Sequence, residues 1–231
     1  MKTPATARIE YILYLAASFL VSLLPRPALL KLGTWLGRLF YRVDKRHREL
    51  ARRNLRETLG SDEIAPKVFE HFGRIALDSI KLWDRKPEWI AKNVQVEGAE
   101  YVREALARGG VVLFTAHYGN WELGAIHTAI LFGPLVVIAH ALDNRILEKY
   151  LRVKREKLGN QVVEKRESAR PVLRALQSGR IVAILIDQRV SAKEGLAVNF
   201  LGRPALSTPA AARLALQTDA RRTSGRIRCL E

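Results

Sequence analysis

At 231 residues the chain can bury one sizeable core, and 48% apolar with 27% charged residues excludes a disordered chain. The formal charge of +16 favours anionic partners, whether nucleic acid, anionic lipid headgroups or phosphorylated substrates, and does not choose among them. The lone Cys229 excludes an internal disulfide and a cysteine-rich zinc site.

Residues 1–10 are short and polar. Tyr11 to Leu24 then run without a charge and stop at Pro25-Arg26-Pro27. This uncharged run is shorter than the roughly 20 residues that a spanning helix needs. A signal peptide is disfavoured, because no small-x-small cleavage site precedes the prolines. A buried core helix and a membrane anchor both remain open, with the anchor preferred. Ala28 to Val43 supports it, mixing Trp35, Phe40 and Tyr41 with Lys31, Arg38 and Arg42. Such aromatics favour the membrane–water interface, and long basic side chains reach towards headgroups. The following cluster, Lys45-Arg46-His47-Arg48 to Arg56, would place its side of the membrane in the cytoplasm. The alternative is a solvated helix face with Glu49–Arg53 pairing.

Ser61-Asp62-Glu63 is expected to start another helix, whose apolar positions recur from Val68 to Trp83. Asn93 to Gly98 reads as a strand, and Glu100 to Arg108 as a short helix closed by Gly109-Gly110. Apolar strands follow at 110–114, 135–140 and 181–186, with a short one at 161–163. Helices are expected at 143–158 and 168–177. Continuous apolar strands alternating with helices give an α/β fold: a mixed, mostly parallel sheet flanked by helices, with an N-terminal membrane-associated helix. Residues 197–201 alternate as an exposed edge strand, and Gly202-Arg203-Pro204 is a turn. Thr208-Pro209 opens a helix over 210–217. Residues 218–231 show no apolar period and read as an Arg-rich tail. The organisation expected is an anchor over 1–43, a catalytic domain over 44–217 and that tail. Gly33-x-x-x-Gly37 is a weak helix-pairing signal.

The chemistry concentrates at Thr115-Ala116-His117-Tyr118-Gly119-Asn120-Trp121-Glu122, a strand-to-helix junction. On one continuous helix His117 and Glu122 would lie about 140° apart. They meet only if the helix begins near Asn120, a good N-cap that puts Glu122 in the first turn. A carboxylate on one imidazole nitrogen fixes the tautomer, and the other nitrogen can then take a proton from a hydroxyl. The competing reading is that His117 bonds locally and Glu122 is only a helix-start acid. Asp187, like His117, follows the carboxyl end of a strand, where such sheets carry their functional groups. No Ser or Cys nucleophile is evident nearby, so direct attack by a substrate hydroxyl fits better than a covalent enzyme intermediate. The residues offer too few soft ligands for a zinc assignment.

The run Val112 to Glu122, Arg155 ahead of Gly159, the Asp187-Gln188 pair and Phe200-Leu201-Gly202-Arg203-Pro204-Ala205 before Thr208 resemble the lipid A biosynthesis acyltransferase family. These are the lauroyl/myristoyl transferases of the lysophospholipid acyltransferase superfamily, and the resemblance covers about residues 8–217. It implies a glycerolphosphate-acyltransferase-like fold on the cytoplasmic face of the inner membrane. It implies transfer of a fatty acyl chain from acyl carrier protein, or a coenzyme A thioester, to a hydroxyl of a membrane glycolipid. A lipid A precursor is the acceptor expected, with a phosphatidylinositol mannoside as the alternative. His117 would be the base and Glu122 its orienting partner. Arg155, Asp187, Asn120 and Gly202 would contribute to substrate binding and support, with no cofactor and no metal. Family members continue beyond the Thr208 helix with further strands. The Arg-rich end therefore suggests a truncated or out-of-frame sequence with unpaired sheet edges. The rival classes are a nucleic-acid-binding protein, which lacks a recognisable reading module here, and a non-catalytic membrane-associated protein.

Overall fold

The computed structural model describes residues 3–218, 221–223 and 226–229. In chain order these form α1 (Pro4–Leu23), α2 (Arg26–Val43), α3 (Lys45–Leu59), α4 (Ala65–Leu82), α5 (Pro87–Asn93), β1 (Val94–Glu97), α6 (Ala99–Leu106), β2 (Val111–Thr115) and α7 (Trp121–Phe132). There follow β3 (Val136–Ala139), α8 (Arg145–Arg155), β4 (Gln161–Glu164), a 3₁₀ turn (Lys165–Glu167), α9 (Ala169–Gln177), β5 (Ile181–Leu185), β6 (Leu196–Phe200), β7 (Arg203–Ser207), α10 (Ala210–Thr218), β8 (Arg221–Thr223) and β9 (Arg226–Cys229). Two compact units emerge. The first is Met1–Tyr11, Arg85–Ala197 and Ala205–Glu231; the second is Ile12–Asp84 and Val198–Pro204. The boundary expected at 43/44 falls inside the second unit.

The first unit is an α/β layer built on a parallel sheet in the order β4-β3-β5-β2-β8. The apolar strands fill both faces because successive side chains point to opposite sides. Val112, Val182 and Ile184 pack with Val172, Leu176 and Ala215 of α9 and α10. Val111 and Ile181 pack with Val102, Ala105 and Ala129 of α6 and α7. Asn144 caps α8 by accepting from the N–H groups of Ile146 and Leu147, and its amide donates to the Ala7 carbonyl at 3.0 Å. That contact ties the start of α1 into this unit.

The Arg-rich end departs from expectation. Its backbone at 221–223 adds to the edge of β2, and 226–229 pairs antiparallel with β1, Val94 opposite Cys229. Main-chain pairing needs no apolar period, so composition and periodicity carry no sign of it. Residues 219–220, 224–225 and 230–231 of the expected tail lie outside the described residues.

The second unit is a helical assembly. Gly33 and Gly37 face Gly73 of α4, and the backbones approach so closely that a Cβ on Gly37 would lie 2.2 Å from the Phe69 carbonyl oxygen. The Gly-x3-Gly spacing therefore does pair helices, although it occurs in a basic stretch. Arg26 grips Asp78 with two hydrogen bonds, and Arg38 binds Glu70. Lys81 donates to the carbonyls of Ser22 and Leu24 where α1 ends, and a cation suits that position. Asp62, expected to start a helix, is instead bound by Arg52 and Arg56 of α3, and α4 begins at Ala65. Replacing Gly37 by Ala should destabilise the protein by about 1–3 kcal/mol through overpacking, although Ala favours a helix by about 1 kcal/mol over Gly. Denaturation of the purified variant measures this.

α1 is long and apolar enough to cross a membrane, about 30 Å at 1.5 Å per residue. Ile12, Leu13, Phe19, Leu20 and Leu23 are all exposed. β6 and β7 form a hairpin whose turn residues, Leu201 and Gly202, have φ of +51° and +79°. Two positive values mark a type I′ turn, for which Asn-Gly is the favoured pair. A leucine there costs roughly 1–2 kcal/mol.

Candidate active site

The register of the sheet creates the site. β2 and β5 run parallel with Thr115 opposite Leu185. Two residues further on, that register brings His117 beside Asp187. The main chain continues the ladder one step, with the Ile186 N–H donating to the Thr115 carbonyl at 3.0 Å. Asp187 then holds His117 twice. Its Oδ2 accepts the His117 backbone N–H and its Oδ1 accepts Nδ1–H, each at 2.8 Å. An ionised carboxylate only accepts, so Nδ1 carries a proton, and in the neutral imidazole Nε2 is the nitrogen left with a lone pair. The two side chains are 25% and 33% exposed, so a substrate can reach them. Trp121 lies edge-on to the imidazole at 5.0 Å between ring centres. The Gln188 amide nitrogen stands 3.4 Å from Nε2.

The strand-to-helix turn is built as the spacing predicts. Gly119 has φ +59°, a left-handed value that suits glycine. Asn120 caps α7 by accepting the Leu123 N–H at 3.0 Å. Glu122 falls in the first turn. Its carboxylate, however, does not take up the imidazole. It binds Arg155 at the last turn of α8, with Nε 3.2 and 3.1 Å from its two oxygens and Nη2 2.6 Å from Oε1. The expected His117–Glu122 pair is therefore replaced by two pairs, His117–Asp187 and Glu122–Arg155. Helix geometry explains the exchange. The acid suits the start of α7 and the base suits the end of α8, and a guanidinium fork matches a carboxylate. Arg155, expected to contribute to substrate binding, directs that fork at Glu122. Asn120 acts as a cap, and Gly202 sits in the hairpin turn grouped with the second unit.

Sequence reasoning gave no role of their own to Trp121 and Gln188. Their signal was adjacency, since each stands beside a residue already singled out. His127, further along α7, is fully buried, and its Nδ1 has no partner. Burial pushes its pKa below the usual histidine range, so it is a neutral core residue.

The family model for the bacterial lipid A biosynthesis acyltransferase matches residues 2–223. A phosphatidylinositol mannoside acyltransferase of Mycobacterium tuberculosis (strain CDC 1551 / Oshkosh) is 26% identical over 185 residues, which are 74% of this chain and 58% of that protein. The lipid A biosynthesis lauroyltransferase of Escherichia coli K12 is 28% identical over 174 residues, 71% of this chain and 55% of that protein. The lipid A biosynthesis palmitoleoyltransferase of the same organism is 25% identical over 172 residues, with 71% and 56% covered. The chain thus spans a little over half the length of these curated relatives. With a model matching nearly its whole length, the chain belongs to the bacterial lipid A biosynthesis acyltransferase family.

Proposed function

We propose that this chain transfers a fatty acyl group from an acyl carrier protein or coenzyme A thioester to a hydroxyl of a membrane glycolipid. The observation that carries the reading is His117, whose Nδ1–H is fixed by Asp187 while its partly exposed ring leaves Nε2 with the Gln188 amide nitrogen 3.4 Å away. In this reading Nε2 removes the proton from the acceptor hydroxyl as its oxygen attacks the thioester carbonyl carbon. The C–S bond then breaks, and the departing thiolate takes the proton from the imidazolium. No covalent enzyme intermediate is needed. Glu122 and Arg155 position the turn that carries His117. The protein would work at the cytoplasmic face of the inner membrane, held by α1 and by the basic cluster that begins α3.

The acceptor proposed is a lipid A precursor, in keeping with the family description and the E. coli relatives. A phosphatidylinositol mannoside is the second reading, because the mycobacterial relative of similar identity is named for that lipid. The purified chain should be incubated with each thioester and each acceptor in turn, and the products read by mass spectrometry. An acylated lipid A precursor supports the first reading and an acylated mannoside the second. Absence of product from every pair rejects both.

A further inference from the structure

We propose that the tip of the β6–β7 hairpin is a second lipid-contacting element, which dips into the interfacial layer of an anionic bilayer. The inference rests on the membrane reading above and adds a contact made by a segment far from α1 in sequence. Three observations carry it.

The first is an apolar stripe without cover. Leu196, Val198 and Phe200 occupy alternate positions of β6, so they share one side of the strand. They are 55%, 43% and 60% exposed, and Leu201 at the turn is 58% exposed. In water such a hairpin edge invites aggregation.

The second is the choice of turn residue. Both central positions take left-handed backbone, and stability of the turn alone favours Asn-Gly. Leucine at the first position is the strained choice, and it sets the largest apolar side chain of the turn at the outermost point. In an interfacial layer that side chain gains what the turn loses.

The third is charge. Residues 195–207 contain no acidic side chain and one cation, Arg203. Arg203 is braced at 3.4 Å by the Glu57 carboxylate and donates to the Glu57 carbonyl, and its side chain stays 49% exposed. The same unit exposes Lys31, Arg42, Lys45, Arg46 and Arg53. A cation at the root of an apolar tip, in a unit that bears other exposed cations, complements anionic headgroups. A tip of this length reaches only the headgroup–acyl boundary, about 5–10 Å deep.

The test places a nitroxide on the full chain through Phe200→Cys in a Cys229→Ser background, with a Phe19→Cys label on α1 as reference. Each protein is bound to vesicles of phosphatidylglycerol and phosphatidylethanolamine. Accessibility to oxygen and to a water-soluble nickel chelate then gives the depth of the label. Immersion of both labels supports the proposal. Immersion of the α1 label beside a water-accessible hairpin label overturns it and leaves the membrane reading intact, whereas two water-accessible labels overturn both. Leu201→Asn separates a lipid contact from a structural role, because Asn tolerates left-handed backbone. The variant should melt no lower than the parent and yet lose the immersion of the Phe200→Cys label. Unchanged immersion overturns the proposal. So does a dimer in vesicle-free solution that Leu201→Asn dissolves, since the apolar tip would then serve a second copy of the chain.

Discussion

Replacing His117 by Ala should lower the acyl-transfer rate by about a hundred- to ten-thousandfold, the range that a positioned general base contributes. The imidazole is a quarter exposed and lies at the sheet end, outside the packed faces, so the fold should survive. Initial rates and a melting curve on the same preparation separate loss of chemistry from loss of structure. If the variant keeps more than about a tenth of the rate, His117 is not the base. A large loss with an unchanged melting temperature leaves the base as the explanation.

The second large effect distinguishes the two carboxylates. Asp187→Asn keeps the size of the side chain but offers an NH₂ where Nδ1–H now donates. The imidazole then favours the other tautomer, its proton moves to Nε2, and the base is lost. A loss of about a thousandfold or more is expected, by analogy with the same substitution in Ser-His-Asp triads. Glu122→Gln should behave differently. It weakens a three-contact ion pair whose side chains are 15% and 25% exposed. Hydrogen bonds to charged groups contribute about 1.5–3 kcal/mol, and partial exposure reduces this. The melting temperature should therefore fall, and the rate should drop about ten- to a hundredfold as the turn carrying His117 shifts. If Glu122→Gln matched Asp187→Asn in rate at unchanged stability, it would show that Glu122 acts on the base directly. Stopped assays and melting curves on both variants decide this.

Local features of the site were legible because they depend on neighbours in the chain. Asn120 as cap, Glu122 in the first turn and Gly119 at the bend all follow from spacing, and all are present. The partner of His117 was not legible in the same way. Asp187 could be seen to follow a strand, as His117 does, but only the strand order shows that those strands are adjacent. Glu122, five residues away, was the nearer candidate in sequence, and Arg155 claims it through the packing of α7 and α8. The same limit hid the strands of the Arg-rich end. Their hold on β1 and β2 is made by main-chain groups, and composition carries no trace of it.

The parallel pairing of β2 with β5 also sets a timetable. His117 and Asp187 are 70 residues apart. At roughly 5–20 residues per second, β2 leaves the ribosome about 4–14 s before its central partner exists. β3 emerges in between, yet the finished sheet has β5 inserted between β2 and β3. During synthesis those two apolar strands must stay apart, or separate again, to leave the slot open. Each molecule therefore passes through an interval with two unpaired hydrophobic strands, a liability during synthesis that a cell meets with chaperones.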